Sequence, residues 1–278
     1  MGIPRCKVRR AGAAALSVGA VVALSSLSFV SPAQAAAIPG TPWRTQVTDL
    51  TFGADAPLGS FRAINSAGDL PSSNPYAGLL QTYPTGWGST TNGIYHPEQT
   101  VFVKNGLLNI ISKSVGGTVF GAAIEPTGAG ESYGARTYGK VVYRMRATGA
   151  SGHAFAALLW PANDSGKYEF DHEGPMTANT RVGGAYHYAY HGGAITWGAR
   201  QGQLLSNWHN YSLQWWPGGM TMWIDNYIAY SLAWNGYKSP SIPMRWLIQT
   251  GRMWGGAALT PGSTSTVQIA YVKEWRYG

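Results

Sequence analysis

Tyr168-Glu169-Phe170-Asp171-His172-Glu173-Gly174 places three of the chain's 12 acidic residues within five positions. The acids sit at i, i+2 and i+4. On a β-strand successive side chains alternate between faces, so Glu169, Asp171 and Glu173 project from one face and Phe170 and His172 from the other. Like charges in a row repel, so this arrangement is costly unless it is put to use.

Outward from this stretch, the chain reads as further strands. Upstream, Ala154-Phe155-Ala156-Ala157-Leu158-Leu159-Trp160-Pro161 is nearly continuously apolar and closed by proline. A loop with Asn163, Asp164, Ser165 and Gly166 joins it to the acids. Downstream, Gly184 to Tyr190 alternates aromatic with small residues, and Gly139 to Ala147 also alternates. Thr100–Lys104 and Leu107–Ile111 flank Asn105-Gly106, the strongest short hairpin signal. Tyr211–Trp216 and Met220–Asp225 flank Pro217-Gly218-Gly219 as a second hairpin. Met244–Gln249 and Val267–Tyr277 close the set, residues 38–48 form an extended lead-in, and 60–93 read as long surface loops shaping a rim. About a dozen short strands separated by turn residues predict an all-β, two-sheet sandwich.

Composition bounds the rest. Arg5, Lys7, Arg9 and Arg10 precede an apolar run to about Val30, and Ser31-Pro32-Ala33-Gln34-Ala35 reads as a cleavage site, with Ala35-Ala36-Ala37 as a second choice. The expectation is a secretory signal peptide over 1–35, a single domain over 38–278 and a secreted protein. Arg9-Arg10 leaves a twin-arginine route open beside the general one. Four of the 20 basic residues leave with the leader and no acidic ones do, so the formal charge falls from +8 to +4. No Lys/Arg run suits a nucleic-acid surface. The single cysteine, Cys6, also leaves, so the domain depends on its core rather than on disulfides.

Two carboxyl groups flanking a sugar bond are what glycoside hydrolysis needs, about 5–5.5 Å apart for retention and about 6.5–9.5 Å for inversion. Residues i and i+4 of a strand have Cα atoms roughly 13 Å apart, which two long glutamates can narrow by leaning together. Asp171, one methylene shorter, fits beneath the gap and can push the pKa values of its neighbours apart. The same acids would serve as calcium ligands, or as a solvated strand face.

Leu158-Leu159-Trp160-Pro161 followed by Glu169-Phe170-Asp171-His172-Glu173 resembles the signature of glycoside hydrolase family sixteen, Glu-x-Asp-x-Glu after an apolar strand ending near Trp. Tyr138-Gly139-Lys140 through Arg144-Met145-Arg146, and Trp208-His209-Asn210-Tyr211 with Leu213, Trp215 and Trp223-Ile224-Asp225-Asn226, extend the resemblance over roughly residues 95–275. It implies a concanavalin A-like β-jelly-roll sandwich with a concave substrate cleft, and retaining endo-hydrolysis of β-glycans. By position Glu169 would be the nucleophile, Asp171 the helper bonded to it, and Glu173 the general acid/base. Trp160 would stack on a sugar, His187 would supply a polar subsite group, and Arg136, Gln249 and Trp254 would bind substrate further out. The resemblance implies no required cofactor, leaves a structural calcium ion open, and implies a monomer acting on a β-glucan-like polysaccharide, with no membrane association after leader removal. A lectin-like sandwich without catalysis and a transglycosylase using the same glycosyl-enzyme intermediate are the alternatives.

Two departures stand out. His172 replaces a usual apolar residue on the inward face, where a buried imidazole needs a hydrogen-bond partner. The acids also lack the extra residue that gives many members a β-bulge. The unbulged form resembles enzymes of mixed-linkage β-glucan or xyloglucan, which points to a β-1,3/1,4-glucan.

Overall fold

Alternation along the strand His153–Pro161 sends Phe155, Ala157 and Leu159 into one apolar cluster and Ala156, Leu158 and Trp160 toward a second. The unbroken apolar run is thereby explained: the strand is covered on both faces. In the computed structural model, residues 43–89, 93–128, 134–165, 168–177, 179–181, 183–188, 194–197, 204–236, 238–253 and 257–278 are described. The leader expected over 1–35 lies outside them. Thr41–Gly278 is one compact unit.

His153–Pro161 is central in a seven-stranded antiparallel sheet. The order is Ala194–Trp197, Gly183–Tyr188, Tyr168–Pro175, His153–Pro161, Met244–Arg252, Ala123–Pro126 and Leu80–Thr82. An eleven-stranded sheet faces it, built around Gly139–Gly149, His209–Trp216 and the long Thr264–Tyr277. Val141, Tyr143, Met145, Leu213, Trp215, Val267 and Ile269 of that sheet meet Phe155, Leu159, Phe170, Trp246 and Ile248 in the main core. The architecture is the two-sheet β-jelly-roll sandwich expected from the strand pattern.

Both predicted hairpins form. Val101–Lys104 pairs with Leu107–Val115, and Asn105 and Gly106 have φ of 53° and 75°, the left-handed pair a type I′ turn requires. His209–Trp216 pairs with Gly219–Ile224 across Pro217-Gly218. The lead-in becomes the strand Trp43–Thr51 on Thr264–Tyr277. The 60–93 stretch is more than a surface loop. Phe61 and Tyr76 are buried, and the Tyr76 hydroxyl donates to the Ala54 carbonyl at 2.7 Å.

His172 finds its partner inside the sandwich. Its Nδ1 lies 2.6 Å from the Tyr143 hydroxyl, and its ring meets the face-to-face pair of Tyr143 and Tyr211. Burial lowers the imidazole from 6.5 to about 3, with the Trp223 main chain pulling weakly the other way. The ring is therefore neutral in the fold and protonates near 6.5 only when the chain unfolds. Between those values the unfolded chain binds more protons at this site, so the His172 contribution to stability is complete above about 6.5 and drains as pH falls toward 3. The loss should reach roughly a few kcal/mol at the acid end, read as a falling urea midpoint. His172→Gln, which does not titrate, should flatten that slope. The residual slope should combine His153, whose pKa burial also lowers, with the opposing contribution of Glu125, whose carboxyl burial raises from 4.5 to about 7.

Candidate active site

The strand Tyr168–Pro175 runs between His153–Pro161 and Gly183–Tyr188. On one side Glu173 pairs with Ala156 and Asp171 with Leu158. On the other, Glu173, Asp171 and Glu169 lie opposite Gly183, Ala185 and His187. Neither pairing contains a register shift, so the three acids keep to one face, opposite the core-facing Phe170 and His172. Asp171 is 0% exposed, Glu173 7%, and Glu169 is half-buried. The shortest acid sits deepest, as its length requires.

The floor beside this row is apolar. Ala156 and Leu158 cluster with Tyr95, Ala123 and Leu247, and Tyr83 and Trp160 pack against them. The Tyr95 hydroxyl donates to Gln249 Oε1 at 2.5 Å. Burial raises the Tyr95 pKa far above the ordinary phenol value, and the charges of Tyr83 and Glu169 add to it, so the group stays a donor. Tyr95 packs with Ala156 and Leu158, the residues that pair with Glu173 and Asp171 on the acid strand.

Trp160 is held at its polar end. Its indole N–H donates to Asp164 Oδ1 at 2.9 Å, and Asp164 adopts φ of 53°, a left-handed turn that Asp tolerates better than most residues. Arg245, opposite Trp160 on the next strand, donates from Nη2 to the same Oδ1 at 2.6 Å and to the Tyr83 hydroxyl at 2.9 Å. Its Nε lies 3.3 Å from Oε2 of the buried Glu125. Burial pushes the Glu125 carboxyl up to about 7 against the pull of Arg245, and burial with the Glu125 charge pushes Tyr83 to about 12. Among the described residues no group of three or more His, Cys, Asp or Glu is arranged to hold a metal ion.

The family model for glycosyl hydrolases family 16 matches residues 93–273, which contain the whole acid row. The chain belongs to glycosyl hydrolases family 16. It is a glycoside hydrolase. Among solved structures, the catalytic domain of an endo-1,3-beta-glucanase (laminarinase) from Thermotoga petrophila RKU-1 is 19% identical at TM-score 0.63, covering 84% of this chain and 98% of that one. A Bacteroides ovatus mixed linkage glucan GH16 structure in complex with a product is 18% identical at TM-score 0.55, covering 76% and 98%. The Bacillus licheniformis beta-glucanase is 15% identical at TM-score 0.58, covering 82% and 98%. These likenesses establish the shared fold. No curated protein matches the sequence.

In this family 16 hydrolase the sheet brings Glu169, Asp171, Glu173, Trp160 and Gln249 to one face, with the His187 backbone opposite Glu169. Trp254 lies outside the described residues. Arg136 is a correction. It is buried, donates from Nη2 to the Gly134 carbonyl at 2.9 Å, and lies 3.3 Å from Glu274 Oε2. Glu274 also accepts from Thr48 Oγ1 at 2.7 Å and sits opposite the core residue Val141 on the other sheet. The guanidinium is therefore drawn between the sheets, away from the acid face.

Tyr95, Tyr83, Glu125 and Arg245 escaped the sequence reading, because nothing local marks them. Their partners lie 81 to 162 residues away. Gln249→Leu should cost about 1–3 kcal/mol by leaving the buried Tyr95 hydroxyl without its acceptor. Adding Tyr95→Phe should recover part of that loss, measured by urea unfolding of the single and double variants.

Proposed function

We propose that this hydrolase is a retaining endo-β-glucanase acting on a β-1,3/1,4-glucan. The observation that carries the reading is the unshifted row of Glu169, Asp171 and Glu173 on the sheet face that also bears Trp160. Glu169 attacks the anomeric carbon while Glu173 protonates the departing glycosidic oxygen. The glycosyl-enzyme ester is then hydrolysed by a water that Glu173 deprotonates, so the product keeps its configuration. Asp171, buried between them, orients Glu169. The apolar floor lowers the local dielectric, which strengthens each of these charge interactions. Trp160 offers an aromatic face to a sugar ring, with its edge fixed by Asp164.

The straight register of the acids supports the mixed-linkage preference, and the structural neighbours include both a laminarinase and a mixed-linkage glucan structure. The test is a panel of mixed-linkage glucan, laminarin and xyloglucan, with the anomeric configuration of the first product read by NMR. Mixed-linkage glucan should be cut fastest, with retention; an inverted first product sinks the mechanism. Glu169→Gln and Glu173→Gln should each lower kcat at least roughly a thousandfold while leaving the unfolding midpoint near wild type.

The same reading takes residues 1–35 as a leader and the mature hydrolase as an exported monomer. N-terminal sequencing of protein from the culture medium should begin near Ala36 or Ile38. Recovery only from cells, with Met1 retained, overturns it.

A further inference from the structure

The outward side of the larger sheet, across the core from the acid row, carries a line of cations. Along the strand Gly139–Gly149, Val141, Tyr143 and Met145 enter the core, so Lys140, Arg144 and Arg146 project outward. On the neighbouring strand Lys273 lies opposite Val142, between the levels of Lys140 and Arg144. The line from Lys140 to Arg146 is therefore roughly 20 Å long, at about 3.3 Å of rise per residue. Each cation sits over an aromatic ring: Lys140 over Trp275 at 5.2 Å, Lys273 over Tyr271 at 5.9 Å, and Arg144 and Arg146 over Trp208 at 5.7 and 4.9 Å. Gln268 Oε1 also accepts from Arg146 Nε at 2.8 Å. Rings and amide hold the long stems in place before any ligand arrives.

Charge is unbalanced along this line. Among the described residues no carboxylate pairs with Lys140, Arg144 or Arg146. Asp49 pairs with Lys273 at 3.3 Å, and Asp225 is taken up by His209 Nδ1 at 2.7 Å and the Asn210 N–H at 2.9 Å. The surplus calls for an anionic partner, and strand pairing assembles it although the sequence has no Lys/Arg run. Beside Lys140 the same face holds a pocket of about 360 Å³, lined by Asn210, Ser212, Gln214 and Trp223, within the size range of ligand sites. Val142, Ser212 and Trp223 stand level across three strands, and the two short side chains leave the hollow beside the indole. Asn210 Oδ1 accepts from the Tyr271 hydroxyl at 2.7 Å, and Gln214 Nε2 donates to Ser212 Oγ at 3.2 Å. One amide thus offers a donor and the other an acceptor to the hydroxyls of a sugar.

We propose that this outward face is a docking site for an acidic polysaccharide, a chain of uronate sugars that the enzyme does not cleave. The guanidinium forks of Arg144 and Arg146 match carboxylates, and the pocket beside Lys140 takes a sugar ring between Trp223 and the two amides. A single file of cations suits one extended chain, whereas duplex nucleic acid presents phosphates from two strands. The rings beneath the cations are already covered, so they give no platform for stacked bases. The core separates this face from the acid row, so a bound chain tethers the hydrolase without filling its cleft.

The test is equilibrium binding to immobilised polygalacturonate, with a neutral galactan as the reference. The wild-type protein should be retained on polygalacturonate alone and released in about 1 M salt, where the screening length is roughly 3 Å. Arg144→Gln with Arg146→Gln should weaken binding about tenfold, and Lys140→Gln by a smaller factor. Hydrolysis of soluble mixed-linkage glucan and the unfolding midpoint should stay near wild type. Should loss of the Arg–Trp208 stack lower the midpoint, Lys140→Gln and the salt release carry the test. Arg62→Gln with Lys238→Gln removes the same charge from exposed loop positions and should bind as wild type. No retention above the galactan, retention that survives salt, or an equal loss in the loop variant overturns the proposal. Equal retention on single-stranded DNA, lost in the same variants, makes the face a general polyanion surface and overturns the acidic sugar. No arm of this test uses the acid row, so the glucanase reading stands or falls separately.

Discussion

A strand with carboxylates on one face and core residues on the other tolerates only one register. Sliding Tyr168–Pro175 by one residue would drive Glu169, Asp171 and Glu173 into the cluster that holds Tyr143, Phe155 and Trp246, and would expose Phe170. Burying unpaired charge in that cluster would cost far more than a domain's net stability. The register is therefore pinned from both sides of the sheet. The Tyr143–His172 contact adds a specific tie, since it joins the inward face of this strand to the opposite sheet. His172, an odd residue for that face, belongs to the anchoring of the acid row.

The neighbouring strand follows the same rule with different chemistry. His153–Pro161 is apolar on both faces because one contributes to the sandwich core and the other forms the floor beside the acids. A floor of Ala156, Leu158 and Leu247 excludes water and leaves little to compete with the carboxylates for charge. Polar groups at the margin of this floor are held by specific partners: Tyr95 by Gln249, Trp160 by Asp164, and Asp164 by Arg245. Each bond fixes a side chain that a bare apolar floor would leave free to rotate.

How far the sequence could be read depends on how local each signal is. Asn105-Gly106 identified its hairpin because the turn demands left-handed residues and the chain supplies them at that point. The acid row was recognisable because a period of two is a property of consecutive residues. Arg136 was misread: a lone arginine near a strand carries no sign that Glu274, 138 residues later, will capture it between the sheets. Phe61 and Tyr76 were hidden in a stretch rich in Gly, Pro and Ser, where no alternation marks the two rings that are buried.

What the sequence determined by itself was the alternation: which residues of each strand share a face, where the hairpins turn, and that three acids stand in one row. These follow from backbone geometry over a few residues. What only the tertiary structure decided was which side chains meet across strands distant in sequence. Tyr95 and Gln249 are 154 residues apart, and Arg245 and Asp164 are 81 apart. Those contacts depend on strand order and on the stacking of two sheets, and no short-range pattern encodes either.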